Sequence, residues 1–284
     1  GATPYRQTGD LYGIILLPES ATGADIEAAR KLLIDRGAAD GVTASSVENY
    51  FRERDDMVEF KGVDFSGVTN VTAMFFGSGS LTTFNVNSLP DATSIAYAFR
   101  GTGLTSFHTQ LPLVTNASNS FYGSNLEAFG VQLPEATRVE YAFYNCSSLS
   151  DFTTTDIKKC VNFTSAWQNC SALTSFPAGA KLGTEASNVD FSSSWRNSGL
   201  TSFSTPLPTA TTASRTWQDC TSLTSFSSEL PTATRVDYAW YNNTSLSDFT
   251  TTDIKNCVNF ISSWQNCSAL TSFPAGAKLG TEAT

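Results

Sequence analysis

The stretch Leu149-Ser-Asp-Phe-Thr-Thr-Thr-Asp-Ile-Lys158 returns unchanged as Leu246-Ser-Asp-Phe-Thr-Thr-Thr-Asp-Ile-Lys255, and it opens on a Leu-x-x-Phe phrase that runs through the chain. Leu-Thr-Ser-Phe itself stands at 104–107, 173–176, 200–203, 223–226 and 270–273, with relatives at 57–60, 81–84, 126–129, 149–152 and 246–249. Successive starts differ by 22 to 27 residues. That is the period of a solenoid, whose units bury little alone and gain a core by stacking.

Inside a unit the phrase is followed, often after Leu-Pro, by Ala-Thr-x-x-Val, a small residue and an aromatic. The aromatic slot is filled by Phe75, Phe99, Phe121, Phe143, Trp167, Trp195, Trp217, Trp240 and Trp264, which takes in all 5 tryptophans. Four residues earlier stand Val71, Ile95, Ala117, Val139, Phe163, Phe191, Ala213, Val236 and Phe260. Apolar residues at i and i+4 predict one face of a short helical or 3-10 segment, and the Leu-x-x-Phe phrase predicts a short strand. A longer period overlies this one: residues 223–284 repeat 126–187 at an offset of 97, with 48 of 62 positions identical. Copying a whole four-rung block is tolerated where each rung touches only its neighbours.

Composition narrows the function. A formal charge of −9 disfavours phosphate-rich partners, so no nucleic acid is expected. The longest apolar run, residues 11–17, falls far short of the roughly 20 residues of a bilayer-spanning helix, so no membrane span is expected. Nor is there a leader of the secretory type, which is expected to be absent or already removed.

Cys146-Ser-Ser-Leu-Ser-Asp-Phe152 and Cys220-Thr-Ser-Leu-Thr-Ser-Phe226 resemble the unit of BspA-type leucine-rich repeat proteins. The segment Val68-Thr-Asn-Val-Thr-Ala-Met-Phe-Phe-Gly77 is similar to the variant common in mycoplasmal lipoproteins and bacterial surface proteins. The resemblance covers about residues 57–284. It implies a curved solenoid used for adhesion or recognition, of a kind found on bacteria, on some protists and in phage tail proteins. Trp in place of Phe in five rungs, and strands crowded with Ser and Thr, depart from the family pattern.

The predicted fold is thus a leucine-rich-repeat-like solenoid, with one strand plus one helical or 3-10 segment per rung. Nine rungs and a partial tenth occupy 57–284, behind a small α/β N-terminal cap over 1–56. In that cap the sequence predicts a strand over 11–17, a helix from the capping-box-like Thr22-Gly-Ala-Asp25 toward Gly37, and a second helix from 45 to about 54. Residues 9–38 also resemble helix-bearing segments of phage tail and virion proteins.

Reactive side chains argue against catalysis. Cys146, Cys170, Cys220 and Cys267 share a slot three residues before the next Leu, which other rungs fill with Ser78, Gly101, Gly123, Asn197 and Asn243. Cys160 and Cys257 align with Ala136. Metal ligands do not alternate with Gly, so no metal is expected; buried structural thiols are, with disulfide pairing as the alternative. His108 is the only histidine and Asp151 with Asp156 recurs as Asp248 with Asp253, which reads as solvated or turn-capping residues. No catalytic residue, no cofactor and no enzymatic activity are expected. Asn-x-Ser/Thr sequons, at Asn70, Asn116, Asn145, Asn162, Asn169, Asn242, Asn243 and Asn266, coincide with repeat slots and read as repeat grammar.

With Leu and Phe inward, the residues around them form an exposed face of Ser and Thr ladders. Its candidate binding residues are Thr82, Asn85, Thr105, His108, Asp151, Thr153, Thr201, Ser204, Thr224, Ser227 and Asp248. Cross-strand Thr pairs stabilise a sheet without any ligand, so the ladders have a structural reading as well. The functional expectation is a recognition or adhesion module at a cell or virion surface, such as a tail fibre, with a host cell-surface protein or glycan as partner. Alternatives are a structural spacer whose repeat number sets length, with a neighbouring copy or another chain as partner at its last rung, and binding to ice or a crystal surface.

Overall fold

The computed structural model describes residues 46–281, residue 62 excepted. Eight of the ten Leu-x-x-Phe phrases run into a strand of two or three residues, among them Thr83–Asn85, Ala128–Phe129, Asp151–Phe152 and Ser225–Phe226, and those at 173–176 and 270–273 do not. Every pairing between strands is parallel, and Phe lies on Phe: Phe60 with Phe84, Phe107 with Phe129, Phe129 with Phe152, and Phe226 with both Phe203 and Phe249. Consecutive units can pair in parallel only if the chain completes a circuit between them, and that circuit is the rung of a β-solenoid of about ten turns. Two further rows of pairing complete the circuit. One joins Asp156–Ile157 to Lys181–Leu182 and Asp253–Ile254 to Lys278–Leu279. The other is a run of single parallel bridges through Asn70, Ser94, Asn116, Arg138, Asn162 and Asp190, and again through Thr212, Arg235 and Asn259.

The predicted helical segment is replaced. Among the described residues there is no helix, and the segment from Val71 to Ser78 is a ribbon of two four-residue turns. Within the rung, Met74 N donates to Val71 O (3.2 Å), Phe76 N to Ala73 O (3.2 Å) and Ser78 N to Phe75 O (3.1 Å). The alternate amides leave the rung: Val71, Ala73, Phe75 and Gly77 donate to the carbonyls of Ser94, Ala96, Ala98 and Arg100 at 2.8–2.9 Å. A helix would spend all of these amides internally, whereas the ribbon spends half of them on fastening one rung to the next. Two successive four-residue turns put apolar side chains four apart on one side, which is the spacing that reads as helical in the sequence. The geometry needs a left-handed residue two places after each apolar one, and the chain supplies Ala73 with Gly77, Tyr97 with Gly101, Ser193 with Asn197, and Tyr238 with Asn242.

Two columns of aromatic rings fill the interior. In the ribbon column Phe75 stacks on Phe99 (5.6 Å, 16° between planes) and Trp195 on Trp217 (5.9 Å, 2°). Strand-column rings meet them edge-on, as Phe226 meets Trp217 at 4.6 Å and 71°. Such geometry adds to the area that each ring buries, because ring edges and faces carry opposite partial charge. The five indole N–H groups are buried without an acceptor, a cost that stacking and burial have to outweigh.

At the N-terminal side, the strand over 11–17 and the helix over 22–37 lie outside the described residues. Of the second predicted helix, over 45–54, the described part from Ser46 onward is instead one more ribbon. Ser46 bridges to Asn70, Val47 N donates to Asn70 O, Asn49 and Glu53 take the left-handed positions, and Phe51 stacks on Phe75 at 5.4 Å. Its backbone follows the next rung because that rung offers a carbonyl to each alternate amide.

Candidate functional site

The strand face is built from the residues that flank each buried Phe, and all eleven candidate binding residues are exposed on it. The structure gathers four of them. Pairing lapses between the Thr83–Asn85 strand and the Ser106–Phe107 strand, which belong to different sheets. The opening is a groove of about 520 Å³ lined by Thr82, Asn85, Thr105, His108 and neighbours that include Asn87 and Gln110. The two rungs stay joined beneath it: Phe84 stacks on Phe107 at 5.8 Å, and the buried Thr109 hydroxyl donates to Val86 O at 2.6 Å. The groove contains no Asp, Glu, Lys or Arg. It presents hydroxyls, amides and one imidazole, a set that recognises hydrogen-bonding partners without regard to charge.

The other seven candidates are not drawn into that groove. Asp151 and Thr153 lie at the Asp151–Phe152 strand; Thr201, Ser204, Thr224, Ser227 and Asp248 lie along the sheet of Ser202–Phe203, Ser225–Phe226 and Asp248–Phe249. The rung of Phe176 separates the two sheets and forms no strand on this face. In neighbouring rungs the amide after the Phe donates to the preceding Phe carbonyl, as Thr153 does to Phe129 and Ser227 to Phe203. Pro177 occupies that place and has no N–H to give.

Part of the hydroxyl face is structural. Thr82, Thr201 and Thr224 donate their hydroxyls to the carbonyls of Val58, Thr174 and Thr201 in the preceding rung, at 2.9–3.3 Å. A parallel interior ladder runs Thr205 to Pro177 O, Ser228 to Thr205 O and Thr251 to Ser228 O. The residues after each Phe, including Asn85, His108, Thr153, Ser204 and Ser227, carry the outward side chains that remain for a partner.

The cysteines serve the same stacking. All six are free and buried. Cys146, Cys170, Cys220 and Cys267 direct their thiols to the carbonyls of Phe121, Phe143, Trp195 and Trp240 at 3.0–3.1 Å, and Ser78 does the same to Phe51 O at 2.7 Å. The slot differs from the one counted back from Leu: Thr102, Ser124 and Ser198 occupy it, not Gly101, Gly123 and Asn197, which are left-handed turn residues. Those three rungs have a corner one residue shorter, which shifts the count. Ser124 Oγ lies 3.4 Å from Cys146 Sγ and Ser198 Oγ 3.3 Å from Cys220 Sγ, so the column takes any small side chain with a donor. Burial pushes the thiols of Cys146 and Cys220 up to about 11 and that of Cys160 up to about 12, which keeps them protonated and unreactive at neutral pH. Among the described residues no group of His, Cys, Asp and Glu has the arrangement of a metal site, and no helix is long and apolar enough to cross a membrane.

The sequon asparagines have structural roles. Asn70, Asn116 and Asn162 open a ribbon by accepting the amide two residues on, at 3.0–3.1 Å. Asn145, Asn169, Asn242 and Asn266 take the left-handed position, and Asn243 is fully buried in the cysteine column. These left-handed positions carried a sequence signal that the apolar spacing masked, namely Gly, Asn or Asp two residues after the aromatic in every rung from Phe75 onward.

Residues 69–189 and 191–280 match the family model of the BspA type leucine rich repeat region, in six copies. Among solved structures the chain is similar to a leucine-rich repeat protein from Bacteroides ovatus, with TM-score 0.43 and 14% identity over 80% of this chain and 69% of that one. It is also similar to a leucine rich cell surface protein from Faecalibacterium prausnitzii, with TM-score 0.33 and 18% identity over 79% of this chain and 62% of that one. No curated protein matches the chain.

Proposed function

We propose that this chain, which belongs to the BspA-type leucine-rich repeat family, is a non-enzymatic recognition and adhesion module exposed on a cell or virion surface. Its strand face binds a host protein or glycan. The observation that carries the reading is the uncharged groove at Thr82, Asn85, Thr105 and His108, where outward donors and acceptors converge while the thiols and many of the hydroxyls are committed to rung stacking. The cell-surface description of the similar Faecalibacterium protein supports the location.

A structural spacer is the second reading, favoured by the block duplication. The strands at Asp151–Phe152 and Asp248–Phe249 are copies in the same register against their neighbours, so blocks add length without changing shape. Deleting 126–222 keeps the rung phase, because 223 stands where 126 stood. Binding of the full chain and of this deletion to intact host cells and to a glycan array separates the two. Saturable binding that is lost when Asn85, Thr105 and His108 are all changed to Ala supports recognition. Binding of neither form to any cell or glycan supports the spacer.

A further inference from the structure

The turn ribbon has an outer side, and it is not uniform. The residue after each core aromatic forms a half-exposed column. In its first part rings and guanidinium groups alternate: Arg52 lies 4.3 Å from the Phe76 ring, Arg100 lies 4.1 Å from the Tyr122 ring, and Tyr122 stacks on Tyr144 at 4.7 Å. The column then holds Gln168, Arg196 and Gln218 before an aromatic returns at Tyr241. Backbone bonds fix the order, with Asn145 N donating to Gln168 O, Asn169 N to Arg196 O, Asn197 N to Gln218 O and Asp219 N to Tyr241 O, all at 2.8–2.9 Å. In the interval between the two tyrosines a cavity of about 540 Å³ opens over Asn169, Asn197, Asp219 and Asn242.

The chemistry of this interval selects its ligand. Asn197 Nδ2 donates to Asn169 Oδ1 at 3.0 Å and Asn242 Nδ2 to Asp219 Oδ1 at 3.2 Å, so the floor is a ladder that still offers both donors and acceptors. Arg196 faces Asp219 at 3.5 Å, which closes the charge on itself and leaves no site for an anion. Gln218 braces the floor from beside the cavity, its Nε2 donating to Asp219 Oδ2 at 3.1 Å. An added peptide strand finds nothing to pair with, since the alternate ribbon amides already bond to the next rung. An uncharged ligand with many hydroxyls and a flat apolar ring face uses all that is present. Tyr144 and Tyr241 stand 97 residues apart, the same slot in the two copies of the block.

We infer that the turn face between Tyr144 and Tyr241 binds a neutral saccharide chain, with the two tyrosines as stacking platforms at its ends and the amide ladder as its hydrogen-bonding floor. This site is separate from the strand groove, and either can fail alone. Tyr144→Gln and Tyr241→Gln test it without disturbing the fold, because Gln168, Gln218 and Gln265 already occupy the column. The probes are the tetrasaccharides of β-1,4-linked glucose, β-1,4-linked N-acetylglucosamine and α-1,4-linked glucose, titrated into the full chain by calorimetry, with circular dichroism as a check on folding. Saturable binding of one tetrasaccharide that weakens about tenfold in each tyrosine variant, and is unchanged in His108→Ala, is the expected result. Binding of none of the three, or binding that both tyrosine variants leave intact, overturns the proposal. Loss in His108→Ala alone moves the saccharide to the strand groove.

Discussion

The rungs from Phe51 to Phe143 and those from Trp167 to Trp264 share one backbone and differ in what they hang on it. In the first set the interior column is Phe and the left-handed residue after it is mostly Gly, at Gly77, Gly101 and Gly123. In the second the column is Trp and that position is Asn169, Asn197, Asp219, Asn242 and Asn266. Glycine meets the left-handed requirement with no side chain, so the outer surface of the first set is made by Arg and aromatic rings. Asn and Asp meet the same requirement with a short polar side chain, and cross-rung bonds such as Asn197 to Asn169 turn that side chain into a surface. The backbone thus demands only a conformation; which residue satisfies it decides what the face can bind.

The comparison breaks most sharply in the interior. Trp217→Ala is expected to destabilise by about 3–5 kcal/mol in urea titrations, with Phe121→Ala toward the lower end of that range. Trp217→Phe is expected to cost far less than either. The first set shows that Phe fits this column, and the change removes a buried indole N–H that has no acceptor. A cost for Trp217→Phe as large as that for Trp217→Ala contradicts the equivalence of the two columns.

Corners come next. A Cβ on Gly199 would sit 2.2 Å from Ser171 O and one on Gly103 2.5 Å from Gly79 O, both backbone atoms. Alanine at either position is expected to cost about 1–3 kcal/mol by forcing rungs apart. Gly101→Ala sharpens the contrast: its φ is +68° but the nearest atom is 3.8 Å from the new Cβ, so its cost is the left-handed penalty alone, about 1–2 kcal/mol. Thermal melts of the three variants rank the two mechanisms.

The two copies of the duplicated block differ at Cys146 and Asn243, which occupy the same buried column. Neither the Nδ2 nor the Oδ1 of Asn243 has a partner. Asn243→Cys restores the residue of the other copy and is expected to stabilise by about 1 kcal/mol in the same melts. A decrease in stability shows that the amide is held by something the column geometry does not supply.

The last difference vanishes at neutral pH. The first set fills the column with Ser78, Thr102 and Ser124 before ending on Cys146, and the second fills it mostly with cysteines; burial pushes these thiols up, to about 11 for Cys146 and Cys220. A thiol is neutral when protonated, and a folded-state value above the unfolded one stabilises the fold below the unfolded value. That contribution is lost as pH rises from about 8.5 toward 11. Amide protection factors, corrected for the base-catalysed intrinsic exchange rate, are expected to fall first across this window in the rungs from Cys146 onward and to stay unchanged in those before Ser124. In Cys146→Ser and Cys220→Ser the difference shrinks.

Much of the fold was legible because a solenoid writes its contacts as columns. The Leu-x-x-Phe phrase and the tryptophan column follow from aligning one rung with the next, the small buried slot follows only where the corner keeps its length, and the eleven candidate residues are all outward on the strand face. The ribbon was misread as helical because apolar spacing of four is common to a helical turn and to two stacked β-turns. Gly77, Gly101 and Asn197 carry the distinction: a left-handed residue two places after each aromatic has no role inside a helix. The groove was not legible, since it depends on a lapse in pairing between two rungs whose sequences obey the same pattern as their neighbours.

The sequence alone determined the repeat, its period and the inward columns, because each is a property of one rung compared with the next. The tertiary structure decided where each amide goes, which side chains remain for a partner, and where the surface opens between Thr82 and His108 and between Tyr144 and Tyr241. A backbone hydrogen bond between rungs is chosen by stacking geometry and not by side-chain identity, so no reading of one unit contains it.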